Sequence, residues 1–262
     1  MGDLANAFRI EQIGTNDWTA RADPNYESTN GMFGGWTMAV ALMAIDDASD
    51  DDAEPSALTM NFVDKVQPGT ELRIAVRPSG GSRSIGHWQA EVSAFNDHQA
   101  LAFASAVFTK RKDTDGRLSV EMPEVSEPDL LDHFNPPGPH GQRCVHRPIT
   151  GYPFYDRPDT LSTAWVKDLT GRAVDHAQLA FLADARAPRS FFWGNGPRLN
   201  ATVAMSVYFH ATPEELTAVG DDYVLSEAFG VRGAKSLSED QLRLWSRQGA
   251  LLATSQQLAW YR

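Results

Sequence analysis

The sequence contains a single cysteine, Cys144, in 262 residues. One cysteine excludes an internal disulfide framework and is typical of a protein from a reducing compartment. The alternative, a nucleophilic role for this thiol, is not favoured, because no His and Asn motif frames it. Its neighbours, GQRCVHRPI, are typical of the start of a strand.

Long hydrophobic segments are also missing. The longest apolar run, Trp36 to Ile45, is far shorter than the roughly 20 residues that span a bilayer. The N-terminus lacks the basic-then-apolar form of a signal peptide. The sequence therefore predicts no membrane partner and a cytoplasmic location.

Basic residues are few: 23 Lys and Arg stand against 34 Asp and Glu, which gives a formal net charge of -11. This balance argues against a nucleic-acid partner, which usually requires a basic patch. The acidic segment 46–54 lacks the glycine and ligand spacing of a calcium loop and is typical of a solvated loop. We therefore expect a small-molecule partner and neither a metal nor another cofactor.

What the sequence does contain is a helix followed by strands. GMFGGWTMAVALMAIDDA is apolar on nearly every side, as expected of a helix buried all round. Residues 58–110 then predict four strands broken by turns. A polar segment rich in proline and acid predicts a linker. The predicted organisation is an N-terminal domain at 1–112, a linker at 113–143 and a C-terminal domain at 144–262.

The C-terminal domain repeats this order. After a predicted strand pair comes VDHAQLAFLADARAP, predicted to be a helix with Asp175 as N-cap and Pro188 as its end, and four more strands follow. LAFASAVF overlays LLATSQQL, which makes Val107 the counterpart of Gln257. Two copies of an apolar helix with long antiparallel strands predict a sheet wrapped around each helix, the sheets joined edge to edge.

With this order of elements, the sequence resembles the acyl-CoA thioesterase II family over almost its full length. MFGGWTMAVAL is similar to the first central helix of that family, and LTMNFVDKVQPGTELRIAV and GGSRSIGHWQAEV to its sheet. The resemblance implies an α+β double hot-dog fold: two tandem hot-dog domains, each an antiparallel sheet wrapped around a central helix. It also implies a thioester hydrolase with acyl-CoA as substrate.

The same resemblance implies a catalytic trio. Asp184 in LAFLADARAP corresponds to the family's Asp, Thr202 in TVAMSVYFH to its Thr or Ser, and Gln257 in the last strand to its Gln. The family often has an Asp-His pair after the Thr, where this chain has Val203-Ala204-Met205. The implied substrate class is therefore better supported than the acyl length.

The trio suits thioester hydrolysis, which needs an activated water and a donor for the oxyanion. Burial of Asp184 should raise its pKa and make it a better base. The alternative is an exposed Asp that bridges Arg186 or Arg189. Backbone N–H groups of Gly34 and Gly35, at a helix N-terminus, are candidate oxyanion donors, although glycine is also explained by close packing.

Three further residues are candidate substrate contacts. Arg83 is one of several arginines in turns or loops, with Arg186, Arg189 and Arg198, that could meet the CoA phosphates. Phe191 and Trp193 either line an acyl tunnel or form a subunit contact in a homo-oligomer. The alternative function is a non-catalytic hot-dog protein that binds an acyl group or acyl-CoA.

Overall fold

Two strand-rich halves join in one large sheet. The computed structural model describes residues 7–262 except 51, 98 and 195, so the first six residues of the predicted N-terminal domain lie outside the described residues. Fourteen strands are described: β1 Ile10–Gly14, β2 Asp17–Arg21, β3 Glu27–Ser28, β4 Gly31–Met32, β5 Glu54–Phe62, β6 Glu71–Gly81, β7 Ile85–Ala94, β8 Ala100–Thr109, β9 Cys144–Thr150, β10 Ser162–Asp168, β11 Asn200–Phe209, β12 Val224–Ala234, β13 Leu237–Trp245 and β14 Leu251–Tyr261. Three α-helices accompany them: α1 Gly34–Ala48, α2 His176–Asp184 and α3 Pro213–Val219.

Twelve of these strands form one sheet in the order β1-β2-β6-β7-β8-β5-β11-β14-β13-β12-β10-β9, while β3 and β4 pair separately. The two halves meet at the antiparallel pair β5–β11. Thr59 and Ser206 lie opposite each other there, with their hydroxyl oxygens 2.9 Å apart. A pseudo-two-fold axis passes through this pair, because β5 and β11 have matching β-bulges at equal distances from it.

The core lies between the sheet and two helices that contact each other, α1 and α2. Nearly every residue from Gly35 to Ile45 is buried, which confirms the predicted helix buried all round. Such a helix cannot stand at a surface, so the strands of its half must cover it. No helix among the described residues is long and apolar enough to cross a membrane.

Helix α2 begins as predicted but ends earlier. The Asp175 side chain accepts a hydrogen bond from the Gln178 N–H at 2.7 Å, which confirms the predicted N-cap. The predicted end at Pro188 is wrong, because the helix ends at Asp184. The next residue, Ala185, leaves the helical conformation at φ -78° and ψ 58°.

The linker region, 113–143, has a structural role that the sequence did not predict. It contains no strand or α-helix, only two short 3-10 turns, Pro128–Leu130 and Pro139–Gln142. Apolar linker side chains pack against a second buried cluster around Trp165, whose indole N–H donates to the Ser126 carbonyl at 2.8 Å. The linker therefore covers the face of the C-terminal strands that is turned away from α2. Strands β1 and β2 and helix α3 were also not predicted.

Candidate active site

Asp184, the last residue of α2, is buried where the two halves of the chain meet. Its Oδ2 accepts a hydrogen bond from the Gly35 N–H of α1 at 2.9 Å. Its Oδ1 accepts one from the Gln257 side chain of β14 at 2.7 Å. The carboxylate is thus held by one donor from each half.

Gln257 links Asp184 to Thr202. Its Nε2 lies 2.8 Å from the Thr202 Oγ1 as well as 2.7 Å from Asp184, so its amide group donates to both. A β-bulge in β11 between Thr202 and Ala204 puts Thr202 on the same face of the sheet as Gln257. The structure therefore brings together all three residues of the predicted trio.

Several groups act on the Asp184 carboxylate. Burial has the largest effect and raises its pKa above the ordinary value. The Arg186 guanidinium and the hydrogen bonds from Gly35 and Gln257 oppose this rise, while the negative charge of Asp240 adds to it. The net direction is upward, toward a stronger base, as the sequence predicted. Arg186 itself is paired with Asp240, not with Asp184.

Gly34 and Gly35 allow α1 to begin directly against the end of α2. A Cβ on Gly34 would lie 2.9 Å from the Asp184 Oδ2, and a Cβ on Gly35 would lie 2.5 Å from the Phe181 carbonyl oxygen. Any larger side chain would separate the helices. The Gly35 N–H, expected to meet an oxyanion, instead donates to Asp184 in this structure.

His140 is a residue near the site that the sequence did not indicate. It belongs to the linker, and its ring stacks on Phe33 with centroids 4.9 Å apart. Its Nδ1 lies 3.1 Å from the Glu27 carbonyl oxygen and donates to it. Burial lowers the pKa of His140, opposed by that hydrogen bond and by the charge of Asp184. A His in a proline-rich segment carries no pattern that predicts such a position.

The predicted substrate residues are not all near the trio. Arg83 lies in the turn after β6, and the register from β7 through β8 to β5 places this turn at the Glu54 end of β5. A Cβ on Gly34 would lie 3.3 Å from the Phe62 ring, at the opposite end of β5. The structure therefore does not bring Arg83 together with the trio, because the turn that carries Arg83 is at one end of β5 and the trio is near the other end.

Trp193 and Phe191 lie closer to the site. The Trp193 ring covers Gly233, where a Cβ would fall 1.7 Å from the ring, and it borders a cleft of about 480 Å³. Gly230 of this cleft is opposite Asp240, which is opposite Gln257. The cleft thus begins two strands, or about 10 Å, from the trio. Phe191 packs against Phe154, with ring centroids 5.1 Å apart.

Two of the other candidate arginines are not available for phosphates. Arg186 and Arg189 are buried, and their guanidinium groups have internal partners. Arg189 donates to the Thr160, Ala187 and Ala228 carbonyls. Among the residues that the structure describes, no three His, Cys, Asp or Glu side chains are grouped so that they could hold a metal ion.

The counterpart of Gln257 in the first half is Ala106, not Val107. In β14, Leu258 pairs with Ala204, the first residue after the bulge in β11, and Gln257 precedes Leu258. In β8, Val107 pairs with Ala57, the first residue after the equivalent bulge in β5, and Ala106 precedes Val107. Burial agrees, because Ala106 faces the core as Gln257 does. A sequence overlay without register information was wrong by one residue.

A long antiparallel sheet wrapped around two central helices defines a double hot-dog protein. Family models agree: the acyl-CoA thioesterase N-terminal domain matches residues 22–109 and the C-terminal domain matches residues 114–261. The chain belongs to the acyl-CoA thioesterase family and is a thioester hydrolase. This confirms the fold and enzyme class that the sequence predicted. A search of curated proteins finds no match.

Solved structures share the fold over the whole chain. A conserved hot-dog protein of unknown function from Alicyclobacillus acidocaldarius is 28% identical, with a TM-score of 0.93 over 100% of this chain and 98% of that one. The tesB protein of Mycobacterium avium subs paratuberculosis is 19% identical, with a TM-score of 0.81 over 100% and 99%. A putative thioesterase II from Thermobifida fusca is 18% identical, with a TM-score of 0.84 over 100% and 98%.

Proposed function

We propose that this chain hydrolyses an acyl-CoA thioester by attack of a water molecule that Asp184 activates. The observation that carries the proposal is the hydrogen-bonded series Gly35, Asp184, Gln257 and Thr202, which spans the two halves. A buried carboxylate with a raised pKa and fixed orientation is a suitable general base at neutral pH.

In the proposed reaction, the water oxygen attacks the thioester carbonyl carbon while Asp184 accepts the water proton. The carbonyl π electrons move to oxygen and form a tetrahedral oxyanion. When that oxyanion collapses, the carbon–sulfur bond breaks and its electron pair leaves with the CoA thiolate. The products are the free acid and CoA, and the Asp184 proton returns to solvent or to the thiolate.

Gln257 and Thr202 position the base and the water. Both N–H groups of the Gln257 amide donate, one to Asp184 and one to Thr202. Thr202 is only partly buried, whereas Asp184 and Gln257 are buried. We assign Thr202 the role of holding the attacking water.

The oxyanion donor is assigned to the Gly34 N–H. The first N–H groups of a helix have no partner within the helix and favour negative charge. In α1, the Trp36 and Thr37 N–H groups donate to the Phe33 carbonyl and the Gly35 N–H donates to Asp184. Gly34 is therefore the first-turn donor that we assign to the oxyanion.

The cleft beside Trp193 is assigned to the substrate. It begins about 10 Å from the trio, a distance that an extended thioester can span. Its lining combines the aromatic rings of Trp193 and Phe229 with the guanidinium of Arg232. Such a mixture suits a ligand with apolar and phosphate parts.

The first experiment measures free-thiol release from a panel of acyl-CoAs, short to long, by the wild type and by Asp184→Asn. We expect hydrolysis of at least one member and a loss of about a hundredfold or more in the variant, since a general base contributes this much. If neither protein cleaves any thioester while acyl-CoA still binds, the non-catalytic binding function replaces this proposal.

A second experiment looks for an acyl intermediate on Asp184 that water opens at the Asp184 carbonyl. A single turnover in oxygen-18 water, with enzyme in excess, should place the label in the free acid and leave the Asp184 peptide unlabelled. Label in that peptide, detected by mass spectrometry, would show that the carboxylate attacks the thioester itself, and the proposed role of Asp184 would be wrong.

A further inference from the structure

A buried ion pair lies next to the proposed base. Arg186 Nη2 is 2.6 Å from Asp240 Oδ1, and the two side chains are only 3% and 2% exposed. Arg186 Nε contacts the same oxygen at 3.1 Å. Buried ion pairs add little net stability, because removing both ions from water costs about as much as their attraction returns. Stability alone therefore does not account well for this pair.

The pair connects the two elements that hold the trio. Arg186 follows Asp184 by two residues and donates to the Ala183 carbonyl in the last turn of α2. Asp240 lies directly opposite Gln257 in the β13–β14 register. Arg186 also lies within 3.5 Å of the Ser255 hydroxyl on β14. The end of α2 is thus tied to the strands that carry Gln257.

The two charges of the pair act on Asp184 in opposite directions. Arg186 lowers the pKa of Asp184 and Asp240 raises it. The other groups that face this carboxylate are the Gly35 N–H, the Gln257 amide and, from the linker, His140. Arg189 lies near the pair, but burial lowers its pKa to about 9 and it donates to carbonyl groups and to the Ser162 hydroxyl, not to Asp240 or Asp184.

We propose that Arg186 and Asp240 are positioning residues for the reaction: together they hold the end of α2 against β14 and keep the electric field at Asp184 balanced. The proposal rests on the proposed function of Asp184 as general base. The charge of Arg186 alone would make Asp184 a weaker base. The charge of Asp240 alone would make protonated Asp184 release its proton less readily. Because the two charges of the pair lie close together, their effects on Asp184 largely cancel.

The test compares Asp240→Asn, Arg186→Gln and the double variant. Asp240→Asn leaves an unbalanced positive charge, so the acid limb of the kcat/KM profile should move to lower pH. Arg186→Gln leaves a negative charge, so that limb should move to higher pH. We expect each shift to be about one pH unit, or about tenfold in rate on the limb. The double variant should return close to the wild-type limb.

Opposite shifts that cancel in the double variant are not expected from a structural role alone. Circular dichroism and thermal unfolding identify variants that fold; if Arg186→Gln does not fold, the comparison of Asp240→Asn with the double variant still decides. Shifts in the same direction, or an unmoved limb in folded variants, would overturn the proposal.

A direct titration separates this inference from the proposed function. Infrared difference spectra of the carboxyl stretch, with Asp184→Asn as the reference, follow the protonation of Asp184 without any turnover. If that titration moves in opposite directions in the two variants while the rate profile does not, the charge balance is correct and the role of Asp184 as base is wrong. If the titration does not move, the inference about the pair is wrong.

Discussion

The two ends of the α1–α2 helix pair are related by the pseudo-two-fold axis but differ in chemistry. At one end, the C-terminus of α2 brings Asp184 to the N-terminus of α1. At the other end, the C-terminus of α1 brings Asp46 to the N-terminus of α2, beside Asp175 and His176. A cleft of about 600 Å³ opens at this second end. Both ends therefore have a carboxylate beside a helix N-terminus.

The difference lies in the strands. Where the first end has Thr202 and Gln257, the equivalent positions in β5 and β8 hold Pro55 and Ala106. Asp46 is exposed whereas Asp184 is buried, although partial desolvation and the charges of Asp175 and Asp47 raise the pKa of Asp46 too. Since proline and alanine side chains cannot donate, Asp46 has no hydrogen-bonded trio. A carboxylate with a raised pKa is thus not enough, and the donors around it distinguish the two ends.

The largest expected difference between the ends is catalytic. Asp184→Asn should lower kcat/KM by about a hundredfold or more, and Asp46→Asn, its matched control, should leave kcat/KM within about twofold. Both rates come from the same thiol-release assay on the best substrate of the panel. A comparable loss in Asp46→Asn would mean that the second end also takes part in the reaction.

Gln257→Ala gives the first end the same side chain that the second end has at this position, because Ala106 is the counterpart of Gln257. The variant removes the donor to both Asp184 and Thr202, so kcat should fall by about tenfold to a hundredfold, and KM should change less. Gln256→Ala is the matched control, since Gln256 is the exposed neighbour on the opposite face of β14. Equal rates in Gln257→Ala and wild type would remove Gln257 from the mechanism.

Much of this arrangement was predictable from sequence, and the limits are physical. An apolar segment such as Trp36–Ile45 predicts a buried helix directly, and the trio followed from a family resemblance. Register was not predictable, because the bulge that aligns Thr202 with Gln257 is a backbone feature with no sequence signature. The position of His140 was missed for a similar reason, since a linker without periodicity does not indicate what it packs against.

The glycines at the start of α1 should matter for stability as well as for the site. Gly35→Ala places a Cβ 2.5 Å from the Phe181 carbonyl oxygen and 3.1 Å from the Asp184 Cβ. We expect a loss of about 1–3 kcal/mol in the free energy of unfolding, measured with denaturant. Gly116→Ala is the control, because nothing lies within 4 Å of its added Cβ, and it should be neutral.

The smallest expected effect belongs to the second end and concerns acid stability. Burial, with the charge of Arg111, lowers the pKa of His176 to about 4, against the opposing charge of Asp175. Because the unfolded chain takes up this proton near pH 6.5, the stability that neutral His176 contributes is complete above that pH and is lost as pH falls toward about 4.

His176→Gln cannot take up this proton, so it should lose less stability than the wild type between about pH 7 and about pH 5.5. The expected difference is about 1 kcal/mol, measured by denaturant unfolding at each pH. Buried His146, whose pKa is also lowered to about 4, accounts for acid sensitivity that remains. Thioesterase activity should be unchanged in His176→Gln, because the second end lacks the donors of the trio. If His176→Gln instead has the same stability at each pH as the wild type but a lower turnover, then His176 takes part in the reaction and the second end is not inactive.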